Sequence, residues 1–300
     1  MSRGGKAAGG AVAVRRAAKK ARRAEPAAGP RAKTRVLGVV THAAPDLGAH
    51  FFVETLGGVK AAIAGRPYRL RLNPARLDGL AGLLFLAPQQ DEPLLHAARK
   101  RGLPCVVSNG SDSLLPYVCL DNVQAAYAAV CHLIRGRGRR PIAVINGKLH
   151  VSDGKDRFDG YRRALADHGI PFRPDYVATG DFSETGGYEA MKRLLALPDP
   201  PDAVFAANDH MAVGALRAAR ERGMSAPDDV AVIGFDGTET AARHEPPLST
   251  VQQPLRAIAK RAAGMLLAML EGRRAERGRV LLRGVLIVRQ SSAPADGGRR

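Results

Sequence analysis

The 300 residues contain no tryptophan, and aromatics make up only 5%. That excludes a sugar cleft built on stacked indoles. Cysteine is scarce as well. Cys105, Cys119 and Cys131 are odd in number and form no C-x-x-C pair. A disulfide framework and a cysteine-rich zinc site are therefore not expected, and a reducing cytoplasm fits. No run approaches the eighteen or so apolar residues that a membrane span needs, and no apolar core of a secretory signal follows the early charges. Acidic residues are the remaining shortage, with 28 Asp/Glu against 46 Lys/Arg and a formal charge of +18.

The excess of positive charge is uneven. Residues 1–35 hold eleven Lys/Arg and one acid, Glu25. The rest of that segment is mostly Ala, Gly and Pro, which cannot bury enough surface to offset its ordering entropy. A disordered basic tail is expected. Arg15, Arg16, Lys19, Lys20, Arg22 and Arg23 are its candidate contacts to nucleic-acid phosphates, with salt-dependent and sequence-independent affinity. The alternative is a merely solvated tail.

After Arg35 short apolar runs alternate with amphipathic ones. Strands are expected at 35–41, 68–72, 82–87, 104–108, 141–146, 203–207, 229–235 and 280–288. Several are nearly all apolar, as parallel strands covered on both faces are. Helical spacing marks 157–168, 186–197, 210–223 and 254–271, and Gly169 and Gly223 serve as stops. This alternation predicts an α/β protein with parallel sheets, in two subdomains.

Ligands of open parallel sheets lie beyond the carboxyl ends of strands. Those ends are polar here: Ser108 and Asn109, Asp181 and Phe182, Asn208 and Asp209, and Asp236, with Arg157 just past the 141–146 strand. A carboxylate, an arginine fork and amides in one cleft suit a small polyhydroxylated or heterocyclic ligand. Phe51, Phe52 and Phe182 are candidates for its apolar walls. Asp209 is equally well placed as a helix cap.

Motifs for chemistry are missing. There is no G-x-S-x-G or H-E-x-x-H, Gly147-Lys148 lacks the rest of a P-loop, and the eight histidines show no metal-ligand spacing. His132 and His168 read as satisfied helix residues. No catalytic residue, metal or cofactor is expected, and the chain does not read as an enzyme.

Specific stretches go further: 121–133 (DNVQAAYAAVCHL), 157–165 (RFDGYRRAL), 180–195 (GDFSETGGYEAMKRLL), 202–216 (DAVFAANDHMAVGAL), 229–237 (DVAVIGFDG) and 246–254 (PPLSTVQQP). In order and spacing, residues 36–293 resemble the effector-binding core of the LacI/GalR family of bacterial transcription regulators. That core is itself similar to periplasmic sugar-binding proteins. The resemblance implies two Rossmann-like subdomains of the periplasmic-binding-protein-like type I fold, joined by three chain crossings. One would hold 36–121 and 251–274, the other 122–250 and 275–293, with 294–300 a disordered end. By matching positions, the ligand contacts would be Phe51, Phe52, Asn109, Asp121, Arg157, Phe182, Asn208, Asp236 and Gln253. Asp236 in GFDG and Arg157 before F-D-G-Y match best.

The resemblance implies a cytoplasmic repressor that binds a sugar or nucleoside between its lobes and no membrane. Two departures stand out. Only the Arg/Ala segment precedes the first strand, so the usual helix-turn-helix is expected to be absent or replaced by the basic tail. Between Tyr68 and Leu83 about one helix of the family pattern is missing, at 73–78 (NPARLD). That lobe forms much of the family's dimer contact, so a homodimer is expected to be weakened. The alternatives are a periplasmic sugar-binding protein of a transporter and a decayed regulator.

Overall fold

The computed structural model describes residues 34–41, 48–88, 92–137, 141–149, 151–273 and 278–293. The basic tail, including Arg15, Arg16, Lys19, Lys20, Arg22 and Arg23, lies outside the described residues, as does 294–300. Arg35, counted with the tail above, opens the first strand.

The first sheet is parallel throughout. Its strands are β1 (Arg35–Thr41), β2 (Tyr68–Leu72), β3 (Leu80–Leu86), β4 (Cys105–Ser108), β5 (Tyr117–Leu120) and β11 (Arg279–Leu282), in the order β2-β1-β3-β4-β5-β11. β3 explains why both faces must be covered. Leu84 and Leu86 join the cluster beneath α1 (Gly48–Ile63) and α8 (Leu255–Leu270), whereas Leu83 and Phe85 join Leu95 and Ala98 of α2 (Pro93–Lys100). The second sheet holds β6 (Ile142–Asn146), β7 (Val177–Thr179), β8 (Ala203–Ala206) and β9 (Ala231–Ile233), parallel and in the order β7-β6-β8-β9. α5 (Glu184–Leu195) and α6 (Asp209–Glu221) bury Met191, Leu194 and Met211 on one face. α3 (Asn122–Arg137) and α4 (Ser152–Asp167) bury Ile134, Tyr161 and Leu165 on the other. A short helix, α7 (Glu239–Arg243), precedes β10 (Thr250–Gln252), which pairs antiparallel with β12 (Val285–Ile287).

Three sequence expectations need correction. The single strand expected over 280–288 is two, broken at Arg283-Gly284. A Cβ on Gly284 would come within 2.8 Å of Val251 Cγ1, so this link hugs β10. The first of the two, β11, pairs with β5 in the first sheet rather than joining the second lobe. β5 itself was not anticipated, because four residues between Pro116 and a helix start give little periodicity.

Between β2 and β3 there is indeed no helix. Residues 73–79 cross directly over β1, although parallel strands usually need a crossover of about a dozen residues. Asn73 makes this turn with φ +41° and accepts from Thr41 N (2.8 Å). On that face Leu77, buried at 7% exposure, packs with Leu80 and Leu83.

The chain passes from the first sheet to the second after β5, returns after β9 and leaves again after β11. Beyond β9, single bridges join Ile233 to Ser249 and Asp236 to Gln252. No described helix is long and apolar enough to cross a membrane.

Candidate functional site

The carboxyl ends of the second sheet's strands gather the polar residues. Past β9 the chain turns at Asp236 and Gly237, with φ +123° and +76°. Gly237 is required there, because a Cβ would meet Gln252 Cα at 2.7 Å. This close approach sets Asp236 against Gln253, whose Nε2 donates to Asp236 Oδ1 (2.6 Å). The next neighbour of the same oxygen is Arg157 Nη1, at 3.5 Å.

Arg157 stands on α4 and is almost fully buried. Its Nε donates to Asn122 Oδ1 (3.0 Å), its Nη1 to the carbonyl of Ala207 (2.6 Å), and its Nη2 lies 3.7 Å from Asp153 Oδ2. The guanidinium carbon sits 3.9 Å from the ring centroid of Phe235. Burial and three kinds of partner therefore fix this side chain before any ligand arrives.

Asn208 follows Ala207 and caps α6 by accepting from Met211 N (2.9 Å); its Nδ2 donates to Phe182 O (2.9 Å). Phe182, at φ +72°, lays its ring where a side chain on Gly147 would be. Asn208 rather than Asp209 is thus the cap. Asp209 is buried and accepts from Thr238 N (2.7 Å), Thr238 Oγ1 (3.0 Å) and Thr250 Oγ1 (2.6 Å), tying α6 to α7 and β10.

Electrostatics follow from burial. Desolvation, aided by the Asp236 charge, pushes the Asp209 carboxyl up to about 7, against its hydrogen bonds from Thr250 and Thr238. Asp236 is also raised by burial, opposed by Arg157, by its bond from Gln253 and by His210 and His50. His50 belongs to α1 on the first sheet, so its charge acts on Asp236 from the other lobe. Phe51 and Phe52 follow it, half-buried and exposed respectively.

Of the nine expected contacts, Phe182, Asn208, Arg157, Asp236 and Gln253 form a connected chain through Ala207. Asn109, at φ +55°, accepts from Ser108 Oγ at the end of β4. Asp121 accepts from Gln124 N (3.1 Å) and so caps α3. Neither makes a described contact with the Arg157–Asp236 pair. The reading from sequence missed Asn122, Asp153 and Asn146. Asp153 lies inside α4, which begins at Ser152, five residues before the start expected from the spacing over 157–168. His132 bonds Ser292 Oγ and His168 bonds Ala164 O, both structural contacts. Among the described residues no group of His, Cys, Asp or Glu is arranged to hold a metal. Two surface grooves of about 370 and 330 Å³ share Ile170 and lie around the amino end of β6, away from Asp236.

The profile of periplasmic binding protein-like domains matches residues 130–292. The probable HTH-type transcriptional repressor ExuR of Bacillus subtilis is 32% identical over 255 residues, 80% of this chain and 75% of that protein. The solved complex of the transcriptional regulator CelR with cellobiose aligns with a TM-score of 0.78 at 33% identity, covering 93% of this chain and 90% of that one. A LacI family transcriptional regulator from Enterococcus faecium, solved with bound ribose, aligns with a TM-score of 0.74 at 25% identity, covering 87% and 100%.

The chain belongs to the LacI family of transcriptional regulators.

Its core, the periplasmic-binding-protein-like fold, is the effector-binding domain of such a regulator. The relatives are repressors of transcription and not enzymes. In this LacI-family core the polar chain from Phe182 to Gln253 occupies the strand ends where open α/β sheets take ligands.

Proposed function

We propose that this chain senses a small, sugar-like or nucleoside-like effector held between the two sheets, and that closure upon it regulates transcription in the cytoplasm. One observation carries the reading: Asp236, bonded by Gln253 and paired with Arg157, lies within electrostatic reach of His50 on the opposite lobe. A ligand that bridges Asp236 and the start of α1 would bind the closed form better than the open one, which is what shifts a two-state core. The solved relatives that hold cellobiose and ribose support a sugar-like effector. Phe51, Phe52, Asn109, Asp121, Arg157, Phe182, Asn208, Asp236 and Gln253 are the proposed contacts, with Phe182 as the apolar wall on the second lobe.

The test is a thermal-shift screen of monosaccharides, disaccharides and nucleosides against the full chain. At least one is expected to raise the melting midpoint, and Asp236→Ala to remove that rise. A rise undiminished in Asp236→Ala places the effector elsewhere.

For the output, the basic segment 1–35 supplies phosphate contacts. Fluorescence anisotropy with random duplex DNA is expected to show affinity that falls steeply with salt and is lost when residues 1–34 are deleted. Affinity indifferent to both would remove the segment from the mechanism. The direct β2–β3 link further implies a weak homodimer, with dissociation measurable by analytical ultracentrifugation.

A further inference from the structure

The carboxyl end of β6 carries a buried polar side chain that nothing satisfies. Asn146 is 0% exposed, and neither its amide oxygen nor its amide nitrogen has a hydrogen-bond partner among the described residues. Such orphans are rare in folded proteins, where most buried polar atoms find a partner.

Its direction follows from how α4 lies on β6. Ile142 and Val144 face α4, and Tyr161 Oη donates to Ile142 O (2.8 Å). Two strand residues advance about 6.6 Å and four helix residues about 6 Å. The steps Ile142, Val144, Asn146 therefore run beside the steps Tyr161, Arg157, Asp153. Asn146 faces the first turn of α4, a helix whose N-terminus no side chain caps among the described residues. Asp153 stands in that turn and accepts from Asn122 Nδ2 (3.2 Å). Burial holds its carboxyl above the ordinary range, with Arg157 opposing and Asp236 reinforcing the shift.

The cation at this end offers little to an anion. Arg157 is turned to Asn122, Ala207, Asp236 and Asp153, and Phe235 covers one face. Lys148, two residues past Asn146, is not free either. The polar groups left beside Arg157 at this end are the Asn146 amide and the carboxylates of Asp153 and Asp236.

We propose that Asn146 and Asp153 form a specificity subsite, one that accepts an uncharged hydroxyl or an amine of the effector and rejects a carboxylate or phosphate. A hydroxyl donates to Asp153 and accepts from the Asn146 amide. An ammonium donates to both side-chain oxygens. A carboxylate finds one donor and a like charge. This inference rests on reading the cleft as the effector site, and it adds the charge class of the effector.

The experiment is calorimetric titration of the full chain with matched sets: glucose, glucosamine, glucuronate and glucose 6-phosphate; ribose and ribose 5-phosphate; cytidine and cytidine monophosphate. In a set that binds, the neutral or amino member is expected to bind about tenfold or more tightly than the acidic one, the scale of one charged hydrogen bond. Asp153→Ser is expected to shrink that ratio to about threefold or less. Asn146→Leu is expected to hold or raise the melting midpoint of the free protein and to weaken the neutral ligand about tenfold. An acidic member that binds as tightly as its neutral partner overturns the subsite while leaving the cleft reading in place. So does unchanged selectivity in Asp153→Ser. Unchanged affinity in Asn146→Leu would make Asn146 the seat of a structural water only. Silence from every set would overturn the cleft reading itself.

Discussion

The Arg157 guanidinium stands 3.5 Å from Asp236 and 3.9 Å from the ring centroid of Phe235, the residue just before that aspartate. One strand end thus supplies both the counter-charge and the apolar plate for a single arginine. Its other donors go to Asn122 and Ala207. Arg157 is therefore first a structural clamp, and its removal must leave Asp236 and Asp153 without their guanidinium partner.

Arg157→Ala is expected to destabilise the free protein by about 3 kcal/mol, the lower end for breaking a buried pair, because Asp236 keeps 27% of its side chain exposed. Arg157→Lys should recover only part of this. A point charge cannot serve Asn122, Ala207 and Asp236 together as a planar fork does. Urea denaturation of the three proteins checks the order; equal stability of Arg157→Ala and the parent would mean that these contacts contribute nothing.

Asp209 predicts a pH dependence. Its carboxyl is raised to about 7 in the fold by burial and the Asp236 charge, from 3.8 in the open chain. Between those values the folded state holds the extra proton. Stability is therefore lost as pH climbs from about 4 through 7 and is level above. The melting midpoint is expected to fall between pH 5 and pH 8. Asp209→Asn should flatten that fall, since an amide oxygen still accepts from Thr238 N while its NH₂ meets Thr250. A slope equal in both proteins would exclude Asp209 as its source.

Gly237 predicts a backbone effect coupled to the site. Its φ of +76° disfavours a side chain, and a Cβ would stand 2.7 Å from Gln252 Cα. Gly237→Ala must push β10 away from the turn and carry Gln253 off Asp236. A loss of about 1–3 kcal/mol in stability is expected, together with a weaker thermal shift from whichever sugar or nucleoside the parent binds. Retained ligand response with reduced stability would separate the turn from the site.

Much of this arrangement is legible in the sequence, because two physical rules are strong here. Apolar runs as short as LAGLLFL and IAVIN, set between turn residues, fit strands covered on both faces, and polar residues after such strands fall at one edge of a sheet. Asp236, Asn208 and Phe182 come from those rules alone. What stayed hidden depends on side-chain direction at helix starts. Asp121 and Asn122 are adjacent, yet the first caps its own helix and the second holds Arg157 Nε. Nothing in the string DNVQ distinguishes them. Asn146 closes an apolar strand, and only the packing of α4 against it shows that its amide is unmet. The turn from β11 to β12 was likewise hidden. Residues 280–288 are apolar on both sides of Arg283-Gly284, and the break is dictated by how closely Gly284 passes Val251.

Asn208 separates capping from site geometry. Its Oδ1 accepts from Met211 N, and its Nδ2 donates to Phe182 O, fixing the loop that lays the Phe182 ring over Gly147. Asn208→Ala removes both bonds and is expected to cost about 1–2 kcal/mol, as loss of a helix cap does. Asn208→Ser keeps an oxygen for Met211 N but is too short to reach Phe182 O. Its stability should lie within about 0.5 kcal/mol of the parent, while its effector response falls as the aromatic wall loosens. Equal effector response in the serine variant and the parent would show that Phe182 is positioned by its own packing and needs no tether from the strand end.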